Sequence, residues 1–333
     1  AHDFRRYLHK NLEDFITEVP DKFPLATLNK KFDKKLISST VKKWQPFDFK
    51  NTNIDKFLDS LDIDKSVGIS SIEGGYIKAS NRFDNFLSEG FSDYAQFSSD
   101  PSKNASSQMS PYFHFGHIST HEVFEKLVKH ESWSPEQIKP NLVGRREGWW
   151  GGSLNFDSFL DELITWRELG YHTCVRRANY NQYSSLPEWA VKTLQEHATD
   201  EREHVYSLDQ LTYSETHDEI WNAAQNQLRE QGIIQNYLRM LWGKKILEWS
   251  PNPQIALSYM ITLNDRYALD GRDPNSYSGV FWVLGRYDRA WGPEREIYGK
   301  IRYMTSDSAA RKFNLKPYLE EWGNPARESA TTK

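Results

Sequence analysis

The sequence predicts a mostly α-helical protein, and three observations support this fold class. Apolar residues recur at intervals of three and four, the spacing of a helix that buries one face. No segment of strand length alternates convincingly between apolar and polar residues. Glycine-rich dinucleotide-binding turns and the phosphate-binding P-loop pattern are both absent. The segments with helical spacing are 111–130, 156–175, 186–198, 217–230, 233–249 and 253–268.

The residues between these segments predict where helices begin and end. Gly232 separates two helices, because glycine readily takes the backbone conformation that closes a helix. Asn252 followed by Pro253 is typical of an N-cap and the first helical residue. Gly271 follows the last of the six segments. These signals predict several separate helices rather than one long helix.

The helical pattern strengthens near residue 82, after a different N-terminal stretch. Residues 1–85 show weak apolar periodicity interrupted by prolines, which predicts a linker with short helical pieces. Three glycines within 66–80 predict a loop there. We therefore expect a helical domain over 86–323 and a short flexible tail over 324–333.

Composition limits the class of protein. The 333 residues carry 42 Lys+Arg and 46 Asp+Glu, a formal net charge of −4, and include 12 Trp, 17 Tyr and 18 Phe. These large side chains bury much area each, so a packed core is expected although only 38% of residues are hydrophobic. No apolar run approaches the roughly 18 residues of a membrane helix, and no signal peptide is evident. The single cysteine, Cys174, excludes an intramolecular disulfide framework, and we expect a cytoplasmic protein.

A serine-rich segment precedes the first strong helical pattern. Ser106 and Ser107 precede Ser110, which we expect to be the N-cap of a helix with Pro111 at its first position. Hydroxyl groups beside free backbone N–H groups can hold a phosphate. The alternative is an ordinary helix cap that binds nothing.

Three tryptophans have a spacing that permits two interpretations. Trp242 and Trp249 are seven residues apart and project from one face of a helix, and Trp221 belongs to the preceding helix. They form either part of the core or a relay of indoles that carries electrons to a redox cofactor.

Two further groups are candidates for a site. Trp166 and Trp282, with Glu162 one turn before Trp166, offer aromatic faces and a carboxylate for a flat, unstacked base. Core packing with a surface glutamate is the alternative. Arg239 and Asp270 form either a buried ion pair or two separate surface charges.

Two histidines and several basic residues are candidates for metal and nucleic-acid sites. His114 and His117 lack further ligands at suitable spacing, so we expect no metal site. Residues 286–312 carry seven basic and four acidic side chains near tryptophans, and Arg145 and Arg146 adjoin another tryptophan pair. Such patches suit either a nucleic-acid backbone or ordinary surface.

Several long segments resemble the class II photolyases of the photolyase/cryptochrome family. The similarity extends from near residue 1 to about residue 322. Its main segments are 110–116 (SPYFHFG), 197–206 (HATDEREHVY), 221–225 (WNAAQ), 237–249 (YLRMLWGKKILEW), 263–267 (LNDRY), 270–275 (DGRDPN) and 299–304 (GKIRYM).

The resemblance implies an all-α, FAD-binding catalytic domain. It implies that reduced FAD, excited by blue light, donates an electron that splits cyclobutane pyrimidine dimers in DNA. The chain begins where the α/β antenna domain of such proteins would end, so we expect neither that domain nor its chromophore. The expected partner is DNA containing pyrimidine dimers, bound by a monomer without a metal.

The resemblance also implies roles for individual residues. Tyr94, Ser106, Ser107 and Ser110 match contacts to FAD, and the serines hold its diphosphate. Asn264 matches the residue at flavin N5, and Arg239 and Asp270 match a salt bridge beside the flavin ring. Trp242, Trp221 and Trp249 match a relay running in that order from flavin to surface. Trp166 and Trp282 match the pair around the flipped dimer, with Glu162 on a thymine and Met240 lining the pocket.

The chain also departs from the class II pattern. Residues 234–236 read Ile-Gln-Asn where Met-His-Gly is usual, and Ser98 and Ser99 replace an Arg-Asn pair. These changes indicate a divergent branch. Two alternatives to dimer repair are a cryptochrome-like blue-light sensor, which would not need the dimer pocket, and repair of (6-4) photoproducts, which is associated with pocket histidines.

Overall fold

The protein is helical throughout the part of the chain that the structure covers. The computed structural model describes residues 1–16, 20, 21, 26, 34–44, 47, 48, 50–103 and 105–323. Within these residues the β-type pairing is limited to an isolated antiparallel bridge between Arg295 and Gly299. The predicted all-α fold class is therefore confirmed. The tail predicted over 324–333 lies outside the described residues.

The described residues form α-helices joined by short 3₁₀ and π-helical turns. The α-helices are α1 His2–Asn11, α2 Glu13–Ile16, α3 Lys34–Lys43, α4 Ile54–Ser60, α5 Tyr76–Asn85, α6 Tyr94–Phe97, α7 Ser110–His114, α8 Thr120–Glu131, α9 Leu154–Leu160, α10 Arg167–Arg176, α11 Glu188–Glu196, α12 Leu208–Thr212, α13 Glu219–Gln231, α14 Asn236–Trp249, α15 Pro253–Tyr267, α16 Pro274–Val283, α17 Ser306–Lys312 and α18 Lys316–Trp322. Two π-helical turns, Phe86–Gly90 and Asp161–Trp166, extend α5 and join α9 to α10.

The helix boundaries agree with the predicted ones where capping residues were visible in the sequence. Gly232 ends α13 in the left-handed conformation, with φ 75°. The Asn252 side chain accepts a hydrogen bond from the Ile255 N–H at the start of α15. The segment 111–130 instead forms two helices, because the chain turns at Gly116, where φ is 65°. Hydrophobic spacing alone did not detect this break.

Two other expectations about helix starts were wrong. The loop predicted for 66–80 ends at Gly75, which is the N-cap of α5. Ser110 is the first residue of α7 rather than its N-cap, and that position is taken by Met109.

Helix α16 was absent from the predicted set. Its sequence is apolar on nearly all sides and therefore shows no helical stripe. A usable signal was present, since Asp273 caps the helix through the Asn275 N–H and Pro274 follows at the first turn.

The helices pack around two apolar clusters. One contains aromatic side chains from α5 to α9, among them Phe83 and Phe159. The other is formed mainly by α11 and α13–α18. Gln235 Nε2 donates to the Ser98 carbonyl over 2.8 Å and so links the second cluster to the first. The boundary predicted between the linker (1–85) and the helical domain (86–323) stays a prediction. Phe83 and Phe86 pack on each other across it, with ring centroids 5.9 Å apart.

Helix α1 is attached to the body by buried polar contacts. Arg5 donates to both carboxylate oxygens of Asp161, over 2.7 and 2.9 Å. His9 stacks on Trp149 with ring centroids 3.8 Å apart. Burial, and secondarily Arg5, lower the pKa of His9 to about 4, so its neutral ring accepts a hydrogen bond from Gly144. Helix α1 is therefore part of the folded body.

Candidate functional site

Glu162 and Trp166 lie one turn apart on the π-helical segment between α9 and α10. The chain enters this region through α9, which is capped by Ser153 accepting from the Phe156 N–H. The segment Asp161–Trp166 then continues without a break into α10. π-Helical turns inside helices are frequent at functional sites. Glu162 and Trp166, both predicted to line the pocket, therefore lie on the same helical segment.

The two predicted pocket tryptophans are carried by helices in close contact. Gly170 allows this approach, because a Cβ there would lie 2.9 Å from the Ser278 hydroxyl of α16. Trp166 precedes Gly170 by one turn, and Trp282 follows Ser278 by one turn. The ring of Trp166 also meets Tyr287, beyond the end of α16, at a centroid distance of 6.3 Å. The structure gives Trp166 this contact with Tyr287, and within the described residues it gives no direct contact between Trp166 and Trp282.

Trp282 is half-buried, and two cations lie near its ring. The Lys244 ammonium is 5.1 Å and the Arg302 guanidinium 5.6 Å from its ring centre. Lys244 itself is fully buried and donates to the Val283 carbonyl, and burial lowers its pKa to about 7. Met240 reaches the same helix, since a Cβ at Gly279 would lie 3.8 Å from its methyl group. Met240 thus packs against the helix that carries Trp282.

The Glu162 carboxyl is affected by desolvation and by three neighbouring charged groups. Solvent reaches the side chain, yet desolvation by the surrounding protein and the neighbouring Asp161 raise its pKa to about 7. Arg146 and Arg5 oppose this effect. Asp161 is buried and paired with Arg5, and Arg146 lies 3.7 Å from its second oxygen. Near neutral pH Glu162 can therefore carry a proton and donate a hydrogen bond.

Arg239, Asn264 and Asp270 form a connected polar group. Arg239 Nη1 donates to Asn264 Oδ1 over 2.8 Å, and its Nη2 lies 3.8 Å from Asp270 Oδ1. That Asp270 oxygen is buried and has no hydrogen-bond partner among the described residues. Asn264 is 3% exposed and also donates to Asp265. A buried acceptor without a donor indicates a position where a polar ligand group fits.

The predicted phosphate-holding serines are positioned by an arginine. Arg82 Nε donates to the Ser107 carbonyl over 3.0 Å, and its Nη2 to the Ser106 carbonyl over 3.5 Å. In the described part of the chain, the hydroxyls of Ser106, Ser107 and Ser110 take part in no hydrogen bond given by the structure. Tyr94 is buried among phenylalanines, and burial raises the pKa of its hydroxyl above the ordinary value. The free hydroxyls and the nearby cation suit a diphosphate.

The three tryptophans predicted to form an electron relay are all buried. Trp221 Nε1 donates to the Trp242 carbonyl over 3.0 Å, and the rings of Trp221 and Trp249 are 5.6 Å apart. Trp242 donates through its own Nε1 to Gln225. Trp249, the residue predicted at the outer end of the relay, is 1% exposed, and the relay itself stays a prediction. Tyr206 packs on its ring at 5.4 Å and covers it.

Comparison with known proteins identifies the family. The chain is 41% identical over 251 residues to a deoxyribodipyrimidine photo-lyase of Methanothermobacter thermautotrophicus, covering 75% of this chain and 51% of that protein. It is 35% identical over 320 residues to the protein of that name from Potorous tridactylus, covering 96% and 54%. The chain belongs to the photolyase/cryptochrome family. No protein-family profile matches it.

Solved photolyase and cryptochrome structures share the fold. A bacterial class III photolyase from Agrobacterium tumefaciens superposes with a TM-score of 0.53 at 18% identity, over 85% of this chain and 49% of that one. A Synechocystis cryptochrome gives 0.57 at 13% identity, over 79% and 48%. Both establish the helical photolyase/cryptochrome fold. The chain spans about half the length of the curated relatives described above.

The sequence analysis did not identify four residues that lie beside the candidate site residues. Arg5 and Arg82 lie in the stretch predicted as a linker, where no sequence signal marked them. Lys244 could have been noticed as a charge within the apolar face of α14. Tyr287 follows α16, which was itself not predicted.

The described residues contain no group of three potential metal ligands. His114 instead lies 3.2 Å from Asp273, and His117 accepts from the Gly75 N–H. None of the described helices is both long enough and apolar enough to cross a membrane.

Proposed function

We propose that this chain repairs cyclobutane pyrimidine dimers in DNA by a light-driven reaction that uses reduced FAD. The observation that carries the proposal is that Glu162 and Trp166 lie one turn apart just before α10, which packs against α16, the helix that carries Trp282 and contacts Met240. Curated relatives that align over most of the chain are named deoxyribodipyrimidine photo-lyase. Together, a chemically suitable pocket and these relatives favour repair over sensing.

The polar groups of the chain fit FAD. Ser106, Ser107 and Ser110, with Arg82 behind them, would hold the diphosphate. Arg239 and Asp270 would lie beside the flavin ring, where Asp270 has a buried oxygen in need of a donor. Bound reduced FAD would supply, after absorbing blue light, the electron that opens the cyclobutane ring, and would take it back afterwards.

The chain's own side chains would bind and orient the lesion. Trp166 and Trp282 offer aromatic faces to a dimer rotated out of the duplex, and such stacking contributes about 1–3 kcal/mol per base. Extruding a dimer requires less energy than extruding a paired base, because the lesion is already poorly stacked. The protonated Glu162 would donate a hydrogen bond to a pyrimidine carbonyl, which becomes more negative as the ring opens.

Binding in the dark tests the pocket separately from the photochemistry. Two oligonucleotides that differ only by one cyclobutane thymine dimer should bind with clearly different affinities. Trp282→Ala should weaken dimer binding by roughly 5- to 150-fold, the equivalent of one stacking contact, with little effect on undamaged DNA. Tyr213→Ala, which removes an exposed aromatic ring from another face, is the matched control. Equal affinity of the unmodified protein for both oligonucleotides would contradict the proposal and favour light sensing.

A further inference from the structure

A second cavity adjoins the proposed dimer pocket. It has a volume of about 420 Å³ and lies between α1, α10 and the segment that follows α16. Its walls include Phe4, His172, Arg176, Arg177, Arg286 and Tyr287. It thus brings three guanidinium groups and an imidazole together, and among the described residues no carboxylate lines it.

Arg286 gives this cavity a buried positive charge. The residue is 4% exposed, and its Nη2 donates to the Tyr180 carbonyl and the Ser185 hydroxyl. Its Nε is buried without a hydrogen-bond acceptor in the described structure. Burial first, and the nearby Arg177 among further causes, lower its pKa to about 10. Arg286 is therefore charged at neutral pH, and its hydrogen bonds to two neutral oxygens offset only part of the cost of burying this charge.

Arg176 and Arg177 add two charges at the cavity's outer edge. Both are exposed at the end of α10. Arg177 Nη1 contacts only the Ser185 carbonyl, over 3.3 Å, and Arg176 has no hydrogen-bond or ionic partner within the described residues. Clustered guanidinium groups repel one another, so an anion placed between them would relieve that repulsion and gain charge-assisted hydrogen bonds.

Tyr287 forms the wall shared by the cavity and the dimer pocket. Its φ of 68° is unusual for a bulky side chain, and such strain persists only where surrounding contacts hold it. Its hydroxyl lies 2.6 Å from Thr173 Oγ1, while its ring meets Trp166 at 6.3 Å. A ligand in the cavity would therefore lie directly behind a wall of the proposed lesion pocket.

We propose that this cavity is a phosphate-binding subsite that takes a phosphodiester of the DNA strand carrying the lesion. The inference rests on the proposed function, which places the dimer at Trp166. Along α10, Arg176 lies about 15 Å from Trp166 at 1.5 Å per residue, a span of a few nucleotides. The apolar surface of Phe4 beside the cations suits the sugar next to a phosphate.

The salt dependence of DNA binding tests the subsite. We would compare unmodified protein with Arg176→Ala/Arg177→Ala, using labelled duplexes with and without a dimer. Each lost phosphate contact should reduce the slope of log Kobs against log salt by about 1, so a reduction of 1–2 and roughly tenfold weaker binding are expected. The loss should be equal for both duplexes, because phosphate contacts carry no base information.

Two control variants separate a specific contact from a general loss of charge. Lys129→Ala/Lys316→Ala removes two exposed cations from α8 and α18 and should leave the slope unchanged. Arg176→Lys/Arg177→Lys keeps the charges and should retain most of the slope. An equal reduction in the two alanine double variants would overturn the subsite, as would no reduction in either.

Inorganic phosphate distinguishes a strand contact from a site for free anions. If phosphate raises the melting temperature of the unmodified protein but not of Arg176→Ala/Arg177→Ala, while DNA slopes are identical, the cavity binds free phosphate and the strand assignment is wrong. A different result would be a smaller salt slope in Arg176→Ala/Arg177→Ala together with no light-dependent repair by the unmodified protein. That result would support the subsite and contradict only the proposed function.

Discussion

Glu162 shows how a single side chain can depend on its neighbours for its chemistry. Its pKa is raised to about 7 by desolvation and by Asp161, and Arg5 and Arg146 limit the rise. The sequence placed Glu162 one turn before Trp166 and so suggested a pocket. The largest cause, desolvation, comes from the tertiary packing, and Arg5, which lowers the pKa, is 157 positions away, so local spacing could not reveal either effect.

The raised pKa gives a pH prediction with a defined sign. In the unfolded chain Glu162 loses its proton near pH 4.5, whereas in the folded protein it keeps the proton up to about pH 7. The stabilisation of the folded state by the neutral Glu162 side chain is therefore fully present below pH 4.5 and is lost as the pH rises through 7. Glu162→Gln, neutral at every pH, should remove this loss, and its urea midpoint relative to the unmodified protein should increase between pH 5 and 8.

Repair should follow the same titration. We expect repair by the unmodified protein to decrease as pH rises through about 7, because the hydrogen-bond donor is lost, and Glu162→Gln to flatten this profile. An identical pH profile for both proteins would remove Glu162 from the lesion contact.

The relay tryptophans allow a second prediction at the residue scale. Trp242→Phe should slow light-driven reduction of bound oxidised flavin while repair by chemically reduced protein is largely retained, because the relay is needed only for reduction. Trp133→Phe replaces a tryptophan buried in the other apolar cluster and controls for lost packing. An unchanged photoreduction rate in Trp242→Phe, measured by flavin absorbance, would exclude Trp242 from the relay.

At the scale of elements, α1 is the least expected component of the site. Its sequence lies in the predicted linker, yet Arg5 forms a buried two-point ion pair with Asp161 on the π-helical segment. Periodicity could not show this, because the contact depends on the tertiary arrangement and not on local spacing.

Removing this contact should destabilise the protein strongly. Arg5→Ala leaves Asp161 buried with only the more distant Arg146, and breaking a buried pair in this way costs about 3–5 kcal/mol of unfolding free energy. Arg6→Ala removes an exposed arginine from the next position and should change stability by less than about 0.5 kcal/mol. If Arg5→Ala and Arg6→Ala lowered the free energy of unfolding in urea by the same amount, the Arg5–Asp161 contact would not stabilise the protein.

The helices differ in how far the sequence could predict them. α13 and α15 were well located, because Gly232 and Asn252 mark boundaries through local chemistry. α16 was missed because a helix buried on most sides has no amphipathic stripe, and the loop between α7 and α8 was hidden within a continuous apolar pattern.

At the scale of the whole molecule, the proposed site draws on both apolar clusters. Tyr94 belongs to one cluster, while Trp242 and the helix carrying Trp282 belong to the other. The resemblance to photolyases correctly indicated the family and the fold, because long ungapped segments are specific. It could not indicate the Arg286 cavity or the burial of Trp249, which arise from packing between segments distant in sequence.

The most direct measurement is light-dependent repair by this chain, loaded with FAD and chemically reduced. Oligonucleotides bearing one cyclobutane thymine dimer or one (6-4) photoproduct would be illuminated with blue light or kept in the dark, and restored thymines would be quantified by chromatography. Repair of the cyclobutane dimer only, and only in the light, is the expected result. No restored thymine from protein that demonstrably holds reduced FAD would contradict the proposed function, and restoration of the (6-4) lesion alone would contradict the assigned substrate.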